Sequence, residues 1–549
     1  MKFKLINGKI YDPSQKINGE IKNIYIDGDR IVNPTKKEKE KYNTTYDLKN
    51  MIVMAGGVDI HSHIAGGNVN NARVLMPEVH KKFTESQLNN RDHLPGKGTR
   101  WSTNGTGYRY AEMGFTTVVE PAVLPINSFS VHLELENIPL IDKAGLAVMG
   151  NDTFLLDCLN KKKDQDYINN YIAWTLINSK CLGIKVINAG GSESFKRGSR
   201  EFSLDDTVPS YGVTSRKILN TISKANEQLK IPHPLHVHCN NLGLPGNVKT
   251  ALDTIDAAEG RKMHLAHVQF YGYDDEGKKG FSSGAVKLTE SINKNKNITV
   301  DVGQVMFKPT VTISSDILRQ FEARKHAFPK KYIISEAEDG GGGIVPYEYK
   351  MKNFVNSLQW IIGLELFLLI DDPWRVYLTT DHPNGAPFTS YPKLFRLLMD
   401  YNYRMEELTK INKLALDFSF LKQIKRTYNL YEIAIMTRSA PAKLLGLKGY
   451  GSLKAGSKAD ITVYDSNLPI DKMFSSAKFV FKDGENIVKD GRVIKYKESR
   501  THCLKLDYDV SIKKDIQKWF NKNYAFDIDD LSVDTEFFRL NNFKFLNIN

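Results

Sequence analysis

The stretch Met51-Ile52-Val53-Met54-Ala55-Gly56-Gly57-Val58-Asp59-Ile60-His61-Ser62-His63 runs an apolar segment into a His-x-His pair. In an extended chain alternate side chains share a face, so His61 and His63 project together. Two imidazoles at the end of a strand can grip one divalent metal ion; the helical alternative, H-E-x-x-H, does not occur in the sequence. A bare His-x-His also occurs in ordinary loops. The metal reading therefore depends on partners elsewhere in the chain.

Residues 55–444 alternate strand-like and helix-like pieces. Phe115–Val119, Gly183–Ile187, Pro234–His238, Met263–His267 and Val376–Thr380 read as strands, and Ser215–Gln228 as a helix between two of them. Without a G-x-G-x-x-G opening, this alternation predicts an α/β fold, a (β/α)8 TIM-like barrel with insertions, rather than a doubly wound nucleotide-binding sheet. Residues 1–54 read as short strands (Phe3–Ile10, Ile21–Ile26, Arg30–Val32). Residues 445–500 do likewise (Ile461–Tyr464, Lys478–Phe481, Gly491–Ile494). The two ends are expected to build one small β-sandwich, with 501–549 a C-terminal appendage.

Barrel enzymes place their chemistry at the C-terminal ends of strands. His238 ends Leu235-His-Val-His238, His267 ends Leu265-Ala-His267, and Asp381 follows Val376–Thr380. His236 shares a face with His238 but lies deeper, and His264 faces away from His267. Four imidazoles and a carboxylate exceed the three protein ligands that one catalytic zinc usually takes, which suggests two metals and a bridge between them. Lys185 lies in the apolar strand Gly183-Ile-Lys-Val-Ile187, where a free ammonium is costly. Carbon dioxide would convert it to an anionic, bidentate carbamate; pairing with a distant acid and snorkelling outward are the other readings.

The bulk composition sets outer limits. The chain has 549 residues, 41% of them hydrophobic, enough for a barrel-sized core and a satellite unit. Its net charge of +13 favours acidic partners, but no dense basic cluster occurs, and Lys161-Lys162-Lys163 reads as a solvated turn. No nucleic-acid module accompanies the charge. The four cysteines are far apart, which argues against a disulfide framework, an iron–sulfur cluster or any redox cofactor in this chain. Met1–Leu5 opens no signal peptide, and Leu358–Ile370 is too short to span a bilayer and contains Glu365. A cytoplasmic protein with neither membrane nor nucleic-acid partners is expected.

The ligand set resembles the amidohydrolase superfamily, in the branch with a carboxylated lysine that includes hydantoinases, dihydropyrimidinases and dihydroorotases. The resemblance covers nearly the whole chain. It implies that His61, His63 and Asp381 hold one metal and His238 and His267 the other, with N6-carboxylated Lys185 and a hydroxide bridging them. Zinc suits the ligands; iron, manganese and cobalt bind such sets too.

Longer stretches resemble the amidohydrolase-type subunits of the formylmethanofuran dehydrogenases. They are Asp59-Ile-His-Ser-His-Ile-Ala-Gly-Gly67, Gly114-Phe-Thr-Thr-Val-Val-Glu-Pro-Ala122, His236-Val-His-Cys-Asn-Asn-Leu-Gly243, Asp301-Val-Gly-Gln-Val305, Asp339-Gly-Gly-Gly-Gly-Ile-Val-Pro-Tyr347 and Thr379-Thr-Asp-His-Pro-Asn-Gly385. Asn68 departs from that pattern, which commonly carries lysine there.

This resemblance implies a reversible condensation of formate with methanofuran to formylmethanofuran, as in methanogenesis from carbon dioxide. Asp381 would be the catalytic base and acid, and Asn240 and His382 candidate substrate contacts. Redox chemistry would lie in molybdenum or tungsten and iron–sulfur subunits of the same complex; a formyltransferase complex is the other arrangement. The acidic tail of methanofuran suits the basic net charge. The alternatives are a stand-alone hydantoinase-type cyclic amidase and a non-catalytic scaffold.

Overall fold

Eight short strands, most of them buried on both faces, form a continuous parallel sheet in chain order: β1 (Gly57–Asp59), β2 (Phe115–Val123), β3 (Asp142–Val148), β4 (Gly183–Ile187), β5 (Leu235–His238), β6 (Met263–Leu265), β7 (Ile298–Asp301) and β8 (Val376–Tyr377). Near-continuous apolar runs are what a parallel sheet covered on both faces requires. The structure, a computed structural model, describes residues 1–76, 103–277, 280–336, 341–525, 527–538 and 543–547. Asp339 and Gly340 of the glycine-rich stretch lie outside them. The sheet curls in the manner of a TIM-like barrel. A parallel bridge between Ser62 and His382 joins the loops after β1 and β8, and the His63 N–H donates to the His382 carbonyl at 2.8 Å.

The opening apolar run does not lead straight into the barrel. Met51–Ala55 pairs antiparallel with Ile461–Asp465 in a seven-stranded sheet drawn from both ends of the chain. The chain crosses to β1 at Gly56, where a Cβ would lie 2.2 Å from the Thr116 Oγ1. A four-stranded sheet (Lys2–Ile6, Ile24–Asp27, Arg30–Val32, Thr44–Asp47) packs through Phe3, Leu5 and Ile26 onto a cluster with Val53, Ile461 and Phe481, separate from the barrel core. The stretch read as one strand over Phe3–Ile10 is two, broken at Asn7, which is left-handed at φ 63°. Two barrel strands are not among the sequence candidates: β3 carries Asp142, Lys143 and Gly145, and β7 is short.

The C-terminal segment extends the barrel sheet. Thr501–Lys505 runs parallel to Lys143–Ala144 of β3, and Phe543–Asn547 lies beside it. No helix among the described residues is long and apolar enough to cross a membrane.

The apolar stretch around Leu358 is a helix, Phe354–Leu369, packed in the core. Its Glu365 is fully buried, accepting from Ser283 Oγ and the Phe420 N–H, and burial raises its pKa to about 7. A carboxyl with a raised folded pKa stabilises the fold fully below its unfolded pKa and loses that contribution as pH rises through about 7. Between pH 4.5 and 8 the loss is on the order of 3 kcal/mol. Glu365→Gln is expected to flatten that fall, which thermal unfolding midpoints of both proteins across this pH range would show. An identical pH slope in the two would refute the assignment.

Candidate metal centre

All six sequence-predicted ligands, His61, His63, Lys185, His238, His267 and Asp381, line one cavity of about 1070 Å³ at the C-terminal ends of the barrel strands. His61 Nε2 lies 3.0 Å and His63 Nε2 3.4 Å from Asp381 Oδ1. On the other side His238 Nδ1 lies 3.0 Å from His267 Nε2. Lys185 sits in β4, level with His236 in the neighbouring β5.

The far nitrogens of three of these imidazoles are tied to buried carboxylates. His63 Nδ1 meets Glu120 Oε1 at 3.0 Å, His61 Nδ1 meets Asp301 Oδ2 at 3.1 Å, and His238 Nε2 meets Asp316 Oδ2 at 3.1 Å. Each pairing leaves the opposite nitrogen facing its fellow ligands, the arrangement by which outer carboxylates orient metal-binding histidines. The facing atoms His61 Nε2, Asp381 Oδ1 and Lys185 Nζ are buried and have no hydrogen-bond partner among the described residues. Buried polar atoms are normally satisfied, and this donor set of imidazole nitrogens and carboxylate oxygen suits a divalent cation. The residues therefore fit the metals the resemblance implies.

The electrostatics agree. Burial pushes the Lys185 amine down to about 8, so a substantial neutral fraction exists near neutrality. Burial alone would raise Asp381, but the His267 and His61 imidazoles outweigh it and hold its carboxyl well below the usual range. For His63, burial works downward, and Glu120 and Asp381 overcome it to place the group at about 9.

Residues 44–494 match the amidohydrolase family. The chain belongs to that family. It is 44% identical over 540 residues to the Fhc amidohydrolase-type component, FhcA, of the formyltransferase/hydrolase complex of Methylorubrum extorquens, covering 97% of this chain and 96% of the relative. Protein FwdA of Methanocaldococcus jannaschii is 36% identical, with 98% and 97% covered. A crystal structure of the M. extorquens formyltransferase/hydrolase complex with methylofuran contains a chain matching over 100% of both at 42% identity and a TM-score of 0.95. A D-aminoacylase, 10% identical with 91% of this chain and 99% of that one covered and a TM-score of 0.50, shares the fold alone.

The loops of this amidohydrolase explain why two strands stop early. His267 and Asp381 are left-handed at φ 34° and 49°, so the chain leaves the sheet at Leu265 and Tyr377 rather than running on to His267 and Thr380. Non-glycine residues held in this conformation are strained, and such strain clusters at functional sites. Asp301, to which sequence alone assigns a motif but no role, secures both loops. It accepts from the His267 N–H at 3.0 Å, from Thr379 Oγ1 at 2.6 Å, and meets His264 Nε2 at 3.1 Å besides His61. Its position at the end of an apolar strand, Ile298–Asp301, is the signal that could have found it. Asp316 offers none, since it reaches His238 from an insertion 78 residues downstream.

Asn240 and His382 are not among the residues lining the cavity. Asn240 donates to the Phe202 carbonyl and to Ser215 Oγ, which pins the loop after β5. His382 closes the bridge to Ser62, and its ring packs edge-on against Phe388. Asn68 does line the cavity.

Gly303 explains a further part of the Asp301–Val305 stretch. A Cβ there would lie 2.3 Å from the His267 Cβ and 3.4 Å from the Asp381 Cβ, and its φ is +68°. Gly303→Ala is expected to push His267 aside and to lower metal affinity on the order of tenfold or more. Metal content after dialysis against a graded chelator is the measurement; unchanged retention would refute the close-approach argument.

Proposed function

We propose that this amidohydrolase is the hydrolase component of a formyltransferase/hydrolase-type complex. Its reaction joins or splits the formamide bond between formate and the amine of a methanofuran-type carrier. The observation that carries the reading is the convergence of six ligand side chains on one cavity, in a chain alike over its full length to FhcA. The higher identity to FhcA than to FwdA favours a formyltransferase partner over a molybdenum or tungsten and iron–sulfur partner.

In this reading His61, His63 and Asp381 hold one divalent ion, His238 and His267 the other, and Lys185, carboxylated by carbon dioxide, serves both. Zinc is the metal the ligands suit best. Such ions, when bound, polarise a formyl oxygen and lower the pKa of water. The chain's own residues do the rest. Asp381 Oδ2 is fixed by Asn384 Nδ2 at 3.0 Å, which leaves Oδ1 toward the ligand atoms. Held as a carboxylate by its neighbours, Asp381 accepts the proton of the attacking water. It returns that proton to the nitrogen as the C–N bond breaks, giving formate and the free amine. Condensation reverses the steps. We read the terminal sheets, residues 1–54 and 445–500, as one small β-sandwich beside the barrel of 55–444, with 501–549 appended. The buried thiols suit a cytoplasmic setting.

Affinity purification of the tagged chain from its source, with assay of formate release from the formylated carrier, tests this. A formyltransferase partner and formate release are expected. A molybdenum or tungsten partner in its place would favour the redox arrangement, and turnover of dihydropyrimidines but not the formylated carrier would overturn the reading.

A further inference from the structure

One cation in the cavity wall has no role in the proposed reaction. The cavity-lining cations other than histidine are Lys185, Arg319 and Lys325. Lys185 belongs to the ligand set, and Lys325 pairs with Glu322. Arg319, on the helix Ile317–Ala323, has neither role. Its Nε and Nη1 are sealed from solvent with no hydrogen-bond partner among the described residues, and no carboxylate there lies within ion-pair distance. The remaining nitrogen, Nη2, is the one left accessible.

The position of this guanidinium is set by the metal centre. Asp316 caps the helix, accepting from the Arg319 N–H at 3.3 Å through Oδ1, while its Oδ2 holds His238. Asp316 also feels the positive charge of Arg319. Its two oxygens are already engaged by Asn188 Nδ2 and His238, so it is not free to form a bidentate pair with the guanidinium. A half-buried guanidinium costs free energy unless an anion satisfies it, and its planar fork matches a carboxylate.

We propose that Arg319 forms a carboxylate subsite in the cavity, on the His238 side of the ligand cluster. The inference rests on the functional reading above for the source of the carboxylate, not for the site itself. Two sources carry the same chemistry: the formate produced by hydrolysis, and a carboxylate borne by the amine carrier.

The test uses the intact complex with wild-type, Arg319→Gln and Arg319→Lys chains. Arg319→Gln is expected to weaken carboxylate binding on the order of tenfold or more, the range of a lost charge-assisted hydrogen bond. Arg319→Lys is expected to recover part of it, with kcat changed by no more than about twofold, because the group binds rather than reacts. A raised inhibition constant for formate identifies formate as the occupant. A raised KM for the formylated carrier with unchanged formate inhibition identifies the carrier's carboxylate. Sodium formate against sodium chloride in thermal unfolding provides a readout without turnover. A formate-specific rise in midpoint, lost in Arg319→Gln, supports the subsite even where formamide hydrolysis fails and the functional reading with it. Unchanged formate inhibition, KM and formate stabilisation in Arg319→Gln would overturn the proposal.

Discussion

Asp381→Asn is expected to retain the fold and to lose formamide hydrolysis by roughly a hundredfold to ten-thousandfold, the span of a deleted general acid–base group. Asparagine keeps the shape of the side chain and can still contact Asn384, which now lies 3.0 Å from Oδ2. It cannot accept a proton, and it replaces a carboxylate that His267 and His61 hold charged. Because Asp381 is also a ligand candidate, metal content must be measured beside kcat. Full metal content with the rate lost assigns the effect to proton transfer. Loss of metal as well assigns part of it to ligation. A rate within about tenfold of wild type at full metal content would remove Asp381 from the chemistry.

Lys185→Met is expected to abolish activity while leaving the thermal midpoint unchanged or raised. The two halves of this expectation have different causes. The Lys185 amine is 1% exposed, has no hydrogen-bond partner among the described residues, and is pushed down to about 8 by burial, so methionine removes an unfavourable buried polar group at similar length. Methionine cannot take up carbon dioxide, so a bridging carbamate is lost and metal content falls. Lys185→Ala, which leaves space, is expected to regain part of the activity when short carboxylic acids are added. Carbon-13 NMR after incubation with labelled carbon dioxide reads the carbamate directly. Full activity in Lys185→Met would show that the amine is only a structural group.

His61, His63, His238, His267 and Asp381 are legible in the sequence because each stands at a strand-to-loop junction, where barrel topology alone brings distant positions together. Lys185 is legible because a cation in an apolar strand needs an explanation. Asn240 and His382 look equally suitable, being polar and next to ligands, yet their side chains turn to Phe202, Ser215 and Phe388. Adjacency in sequence does not set side-chain direction once a loop leaves the sheet. The early ends of β6 and β8 are also hidden, since a left-handed turn at His267 or Asp381 has no glycine to announce it.

The parallel barrel, the pairing of the two chain ends and the choice of candidate ligands all follow from the order of residues alone. They depend on period-two patterning, apolar runs and residue type, which are local properties of the chain. Which nitrogen of each imidazole faces the cavity does not follow from that order, because Glu120, Asp301 and Asp316 approach from other strands and an insertion. Nor does the placement of Met51–Ala55 in the terminal sheet, or of Arg319 uncompensated beside the centre. Hydrogen-bond direction and charge pairing are properties of three-dimensional neighbours, and sequence spacing does not carry them.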